Sequence, residues 1–415
     1  VGNVAASPHR AASTVRAANA LCAAALCWLA STSTRAQDAA NDVLNLPFEL
    51  HGFVSQGFLL SSKNNYLAVS KPGSAEFTEV GLNVTKNLTD QFRMGVQLFA
   101  RDLGPVGNYQ PTFDWFYLDY RFWDWLGVRA GRNKIPFGLY NEINDVDVAR
   151  VPILLPQSVY PIDHRDYLLA QTGIELYGNI ALSVAGALEY RAYAGTLFLD
   201  AKSPNPAVTV SGVTVPYVVG GRLMWLTPID GLQVGASVQL LRFDAKYQFS
   251  TDLTRAIMMR PQGPANFNGS VPIKFRLQLW VASLEYSAHD LLFAAEYSRW
   301  HGTIDSGVEE VLPDSSALNE RFYAMASYRV VPWFTAGVYY SGYYVDVHDR
   351  HGRDAYQHDG ALTLRFDATT YWLFKLEGHL MRGTAALDSN LNGGKPLSEL
   401  TRNWALLLLK TTGYF

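Results

Sequence analysis

The segments that connect one patterned stretch of this chain to the next are short and long in strict turn, and few architectures produce that order. Short gaps fall at Lys86–Asp90, Trp123–Leu126, Gly178-Asn179, Thr227–Gly231, Ser287–Asp290, Val331-Pro332 and Asp367–Thr370. Long polar gaps occupy 61–75, 103–111, 138–170, 192–214, 245–271, 301–319, 347–359 and 383–402. An antiparallel meander threaded through a bilayer has short turns on one rim and long loops on the other. A two-sheet sandwich has no reason to sort its loops by parity.

Between the gaps the residues alternate with period two, the mark of a strand with two unlike faces. Phe92, Met94, Val96, Leu98 and Ala100 share one face; Arg93, Gln97 and Arg101 share the other. Ile273, Phe275, Leu277, Leu279 and Val281 alternate with Lys274, Arg276 and Gln278, and Trp372, Phe374, Leu376 and Leu380 with Lys375, Glu377 and His379. The same reading places strands near 48–60, 76–86, 91–102, 112–123, 127–137, 171–178, 180–191, 215–227, 232–244, 272–286, 291–300, 320–331, 333–346, 360–367, 371–382 and 403–415. The expected fold is all-β: a transmembrane antiparallel up-and-down barrel of about sixteen strands. After Gln37 no apolar run reaches the roughly 20 residues of a spanning helix.

Aromatic residues fit two interfacial belts. Phe122, Trp123, Trp125, Trp225, Trp333, Phe334, Tyr371, Trp372 and Phe415 lie beside short gaps or at the last residue. Tyr190, Tyr297, Trp300, Tyr343, Tyr344 and Trp404 lie where strands meet long gaps. Only 17% of the 415 residues are charged, against roughly 25% in soluble domains. The ending Trp404–Phe415 resembles the terminal assembly signal of outer-membrane proteins.

Residues 1–36 read as a separate signal peptide, leaving 37–415 as the barrel. Arg10 and Arg16 precede the apolar stretch Ala17–Ala30, and Thr34-Arg35-Ala36 offers a small-x-small cleavage site. Both cysteines, Cys22 and Cys27, lie in that stretch. Cleavage removes three arginines and no acid, moving the net charge from −3 to −6. Nothing in that balance points to nucleic acid.

Two segments carry a resemblance. His51-Gly52-Phe53-Val54-Ser55-Gln56-Gly57-Phe58 resembles the first strand of many porins. Arg129–Glu142, with Gly131, Lys134, Pro136, Phe137 and Gly138, is similar to the G-x-x-K-x-P-F-G strand of the phosphate-selective porin O/P superfamily. The resemblance implies trimers of sixteen-stranded barrels whose third extracellular loop folds inward as a constriction.

That loop would be 138–170, the longest gap, and structureless loops beyond about 12–15 residues are usually functional. It carries Glu142, Asp145, Asp147, Asp163 and Asp166 against Arg150, His164 and Arg165. Its acidic balance argues against the phosphate selectivity that the superfamily draws from basic residues. On the wall, polar residues are expected to face inward: Arg93, Gln97, Arg101, Arg121, Arg191, Arg222, Lys274, Arg276, Arg329, Arg365 and Lys375, with Glu79, Asp119, Glu175, Glu189, Glu296, Asp367 and Glu377 among them. The basic excess suggests mild anion preference, because fields focus where a lumen narrows. Arg132 and Lys134 fit one face only if their strand shifts parity.

The expected function is passive diffusion of small hydrophilic solutes or ions through a water-filled lumen. The partners are outer-membrane lipid and the solute, with a homotrimer implied by the resemblance; no cofactor and no metal is called for. Asp388–Gly393 with Glu399 matches a written calcium-loop pattern, but Pro396 and flanking strands oppose it. His348, His351 and His358 are read as members of a solvated loop. Two other classes use the same scaffold: a surface hydrolase, for which no nucleophile–base set is visible, and a non-conducting structural or adhesive barrel.

Overall fold

The computed structural model describes residues 48–162, 166–199, 207–261 and 263–415. The expected signal peptide, the segment up to Pro47 and the loop residues Asp163, His164 and Arg165 lie outside the described residues, as does the side chain of Asp166. Leu50–Tyr414 is one compact unit.

Sixteen strands occur among the described residues: β1 (Glu49–Ser61), β2 (Phe77–Asn87), β3 (Phe92–Leu103), β4 (Thr112–Trp123), β5 (Leu126–Lys134), β6 (Ala170–Ala181), β7 (Ala187–Thr196) and β8 (Val208–Leu226), then β9 (Leu232–Phe249), β10 (Ser270–Ala288), β11 (Leu291–Ser306), β12 (Ser315–Val331), β13 (Phe334–Tyr344), β14 (Tyr356–Thr369), β15 (Trp372–Gly383) and β16 (Asn403–Tyr414). Each pairs antiparallel with its sequence neighbours, and β1 closes on β16 from Phe53 opposite Tyr414 to Ser61 opposite Leu406. Closure leaves no unpaired edge, the condition for a sheet to sit in hydrocarbon. Among the described residues no helix is long and apolar enough to cross a membrane. Two short helices, α1 (Asp166–Leu169) and α2 (Thr251–Met258), sit in long connections. The Ser250 hydroxyl caps α2 by accepting from the Leu253 amide.

The two faces of the wall separate cleanly. Val54, Phe58 and Leu60 are exposed while Ser55, Leu59 and Ser61 are buried; Leu362 is exposed between buried Ala361 and Thr363. Such an exposed apolar surface on every side suits lipid, not water. The inner face carries the buried polar groups.

Four departures from the sequence pattern have physical causes. The β6–β7 turn is Leu182–Gly186, where Ser183 and Gly186 adopt positive φ, and not Gly178-Asn179. Gly178 and Asn179 pair with Tyr190 and Glu189 inside the sheet. A Cβ on Gly178 would strike the Trp125 carbonyl, so this glycine permits close backbone approach and makes no turn. As a consequence Tyr190 lies at the short-turn rim, donating to the Trp125 carbonyl at 2.7 Å.

Second, β8, β9 and β10 run 19, 18 and 19 residues, well beyond the roughly 9–11 a spanning strand needs. Their outer ends are held by an apolar cluster with α2 that includes Ile257, Phe267, Val271 and Ile273. Pro216 enters β8 in a stretch of broken register between Thr214 and Tyr217. Third, Trp300 and Trp404 do not join a lipid belt. Both are buried on the inner face, Trp300 under the Arg321 guanidinium at 3.6 Å and Trp404 against Tyr66 at 5.4 Å. Fourth, His358 belongs to β14 and not to the preceding loop.

Candidate functional site

The connection between β5 and β6, residues 135–169, holds 3-10 turns at Asn141–Ile143 and Asp147–Ala149. Its two ends are tied together by Asn141, whose amide donates to the Ile135 carbonyl at 2.8 Å and the Leu168 carbonyl at 2.6 Å. Gly138, with φ +63°, is a position where a side chain would meet Tyr160 and Glu296. Its amide donates instead to Ser237 on β9 at 3.0 Å.

From there the segment bonds to strands remote from its own ends. The Leu139 amide donates to Glu296 on β11 at 2.9 Å, and Ser283 and Tyr323 bind the same carboxylate at 2.5 and 2.8 Å. Tyr160 donates to Glu296 as well. The Ile153 and Leu154 amides donate to Glu377 on β15 at 2.6 and 2.9 Å. Apolar packing follows the same course. Phe137, Leu155 and Tyr160 join a cluster with Leu279, Trp300 and Tyr339, while Ile153, Leu154 and Ile162 join another with Leu59, Trp404 and Leu408.

The acids of the segment are matched to bases of the wall. Asp147 takes Lys375 at 3.0 Å, Lys410 at 3.4 Å and the Thr412 hydroxyl at 2.8 Å. Burial raises the Asp147 carboxyl, but Lys375, Lys410 and Arg150 together lower it further, leaving it well below the usual carboxylate range. Asp145 takes Lys134 at 3.0 Å and Arg101 at 3.4 Å. Glu142 takes Arg191 at 2.6 Å and Arg222 at 3.0 Å. Burial raises this carboxyl too, and the two guanidinium groups bring it below its ordinary value. Burial, reinforced by a carboxylate partner, raises the hydroxyls of Tyr140 (Glu285) and Tyr160 (Glu296), so both stay protonated donors. The excess acid in the segment and the excess base on the wall are halves of one set of pairs.

On the β3–β8 side the pairs run on as a ladder: Asp119 to Arg129 at 3.0 Å, Arg129 to Glu175 at 3.3 Å, Glu175 to Arg191 at 2.8 Å, and Arg222 to Glu189 at 2.8 Å. Arg101 also holds Glu79 at 2.6 Å, which in turn holds Lys410 at 2.7 Å. Gln97 donates to Asp114 at 2.9 Å, where a bulge between Gln97 and Leu98 admits Asp114 to the inner face. Lys134 reaches the Asp114 carboxylate at 3.2 Å and Arg132 the Asp114 backbone carbonyl at 3.0 Å, while β5 keeps an unbroken register with β6, so the expected parity shift does not occur.

Other expected wall residues are placed as follows. Arg365 binds Asp367 at 2.8 Å and the Val148 carbonyl at 2.7 Å. Arg150 is buried, donating to the Pro152 carbonyl at 2.8 Å. Arg93 lies 3.4 Å from the Thr85 hydroxyl, Arg121 is exposed beside a short turn, and Arg329 faces Asp290 at 3.7 Å. A cavity of about 690 Å³ lies at this short-turn end, among Arg329, Arg365, Val151 and Met325.

Lys274 and Arg276 reverse the expectation. They share the exposed face of Trp280 and Leu284, and Arg276 pairs outward with Asp305 at 2.7 Å. The apolar set Ile273, Leu277, Leu279 and Val281 faces inward because segment 135–169 and the outer cluster supply apolar partners there. Residues missed from the sequence are Arg129, Arg321 and Lys410. Arg321, bonded to the Ser158 carbonyl at 2.8 Å, has the parity of Arg329 and was there to be found. Lys410 was masked by leucines on both faces of β16. The calcium-like pattern is occupied otherwise: Asp388 accepts from the Asn390 amide at 2.7 Å, and Asn392 accepts from the Asn65 amide at 2.9 Å.

No protein-family model matches this sequence, and no curated protein matches it. Solved structures do share its shape. OmpF of Salmonella typhi, in complex with daunomycin, is 13% identical with a TM-score of 0.55 over 89% of this chain and 97% of that one. The anion-selective porin from Comamonas acidovorans is 12% identical, TM-score 0.52, over 89% and 99%. OmpT of Vibrio cholerae, described as an outer-membrane protein, is 10% identical, TM-score 0.54, over 89% and 97%. The shared feature is the outer-membrane barrel fold.

Proposed function

We propose that this barrel is an outer-membrane channel for passive diffusion of small hydrophilic solutes or ions, and that segment 135–169 lies across its lumen as the constriction. The observation that carries the reading is that one connection bonds to β9, β11, β15 and β16, strands that a loop leaving between β5 and β6 reaches by crossing the interior. Among the described residues its acids Glu142, Asp145 and Asp147 are each paired with bases, which reduces the charge they present to the lumen. Weak anion preference then rests on Arg121 and Arg329 at the short-turn mouth. No bound cofactor is needed, since the solute gradient supplies the driving force.

Planar-bilayer recording of the refolded protein tests this. Steady single-channel steps with a small anion-directed reversal potential are expected. Silence accompanied by cleavage of a peptide or lipid substrate would transfer the assignment to a surface hydrolase. Silence without turnover would leave a structural barrel. The proposal includes export by cleavage after Ala36, checked by N-terminal sequencing of the mature chain. It includes the O/P-like trimer, checked by cross-linking in membranes.

A further inference from the structure

The outer face of β13–β15 carries a polar cleft where a wall meeting lipid would be expected to be smooth. It encloses about 600 Å³ among Tyr340, Tyr344, His358, Arg350, Arg382 and Arg402. Its place is fixed by register. Tyr340 stands opposite Gly360 and Gly360 opposite Leu380, while His358 stands opposite Arg382. Below it the wall is apolar, with Val338, Leu362 and Leu407 exposed and Leu380 at 76% exposure. Above it are the long connections between β13 and β14 and between β15 and β16, which supply Arg350 and Arg402.

The cleft is cationic and partly preassembled. Arg402 donates to the Tyr356 hydroxyl at 2.6 Å. Arg350 lies 4.3 Å above the Tyr344 ring and binds Glu320. The His358 ring is held between the Tyr340 hydroxyl at 2.8 Å and the Tyr344 hydroxyl at 3.3 Å. Arg382 is exposed and has no hydrogen-bond or ion-pair partner among the described residues. Of the neighbouring acids, Glu320 neutralises Arg350 at the edge of the cleft, and Asp359 binds His379 at 3.0 Å on the inner face. Two guanidinium groups, Arg382 and Arg402, are therefore left without a counter-charge at the boundary between an apolar band and solvent. An anion that seats there must itself belong to an amphiphile. Its acyl chains would lie along Leu380 and Leu362, and its headgroup would be gripped by planar forks suited to phosphate oxygens.

We propose that this cleft is a binding site for a net-anionic, phosphate-bearing lipid headgroup of the surrounding leaflet, one in which no cation of the lipid's own offsets the phosphate. The proposal rests on the membrane-barrel reading but not on conduction. A barrel that binds the lipid and passes no current would sink only the transport assignment.

Native mass spectrometry of the detergent-purified full chain tests it. The probes are bis-phosphorylated lipid A, phosphatidylcholine and inorganic phosphate. Retention of lipid A and loss of phosphatidylcholine are expected. In the double variant R382Q/R402Q retention of lipid A should fall at least about tenfold, as two charge-assisted contacts are removed, with R382K/R402K intermediate. Heat-modifiable migration confirms that each variant is folded. If the double variant does not fold, R382Q alone is read, because its guanidinium has no partner to lose, and about a threefold drop is expected. Equal retention by wild type and variant overturns the proposal. So does displacement of lipid A by equimolar inorganic phosphate, which would make this a free-anion site. Loss of chain–chain association in the variant with lipid retention unchanged would make the face an interface between copies and also overturns it.

Discussion

Strands β3 and β10 carry the same alternation and present it in opposite senses. On β3 the charged face, Gln97 and Arg101, is buried inside and Met94 and Leu98 are exposed. On β10 Leu279 and Val281 are buried inside while Lys274 and Arg276 are exposed. The difference lies in what each inner face meets. Arg101 meets Asp145 and Glu79, so charge is satisfied by charge. Leu279 and Val281 meet the apolar side of segment 135–169. On the outside, Lys274 and Arg276 lie in the outer half of the long strand β10, where Arg276 is paired with Asp305 at 2.7 Å. Period two establishes a strand with two faces; which face is inner depends on what fills the barrel.

The comparison can be broken at several points. The largest effect is expected at Asp147. In D147A buried Lys375 loses its carboxylate partner while Lys410 keeps Glu79 at 2.7 Å, and removing one partner of a buried pair costs roughly 3–5 kcal/mol. Heat-modifiability should shift to lower temperature and the open-channel conductance should rise as the segment comes off the wall. An unchanged conductance would place the segment outside the conducting path.

Next is the apolar half. L279A removes a fully buried side chain from beneath segment 135–169 and should cost about 2–5 kcal/mol. L380A, on the exposed outer face, should cost under roughly 0.5 kcal/mol. Denaturant midpoints in detergent decide this, and similar losses would mean that the inner cluster is loosely packed.

Smaller in energy but sharper in direction is the pH response. The Asp147 and Glu142 carboxyls are depressed in the fold. Their contribution is thus fully present above the unfolded carboxylate range of about 4 and is lost only as pH falls through the lower folded values. Conductance should be flat from pH 7 to about 5 and change only in stronger acid. A transition near neutrality would implicate another group.

The smallest expected effect is a null one. K274E/R276E should leave the reversal potential unchanged, whereas R329E at the short-turn mouth should move it toward cations. A shift in the first variant would return those two residues to the pore.

Legibility varied with the range of the interactions. Strand number and the order of short and long connections could be read because each depends on residues near in sequence. The β6–β7 turn was misread because glycine serves turns and close approaches alike, and Gly178 serves the second. Trp300 and Trp404 looked like interfacial anchors, but their inward direction depends on Arg321 and Tyr66, each distant in the chain.

The chain's own order of side chains and connections was enough to dictate a closed antiparallel barrel, since backbone groups in lipid must pair with one another and a meander can do so only by closing. It also showed that one connection was rich in acid and the wall rich in base. That described acids of that connection pair with wall bases followed only from three dimensions. Coulombic partners such as Asp147 and Lys410 are 263 residues apart, and no local pattern records a contact at that separation.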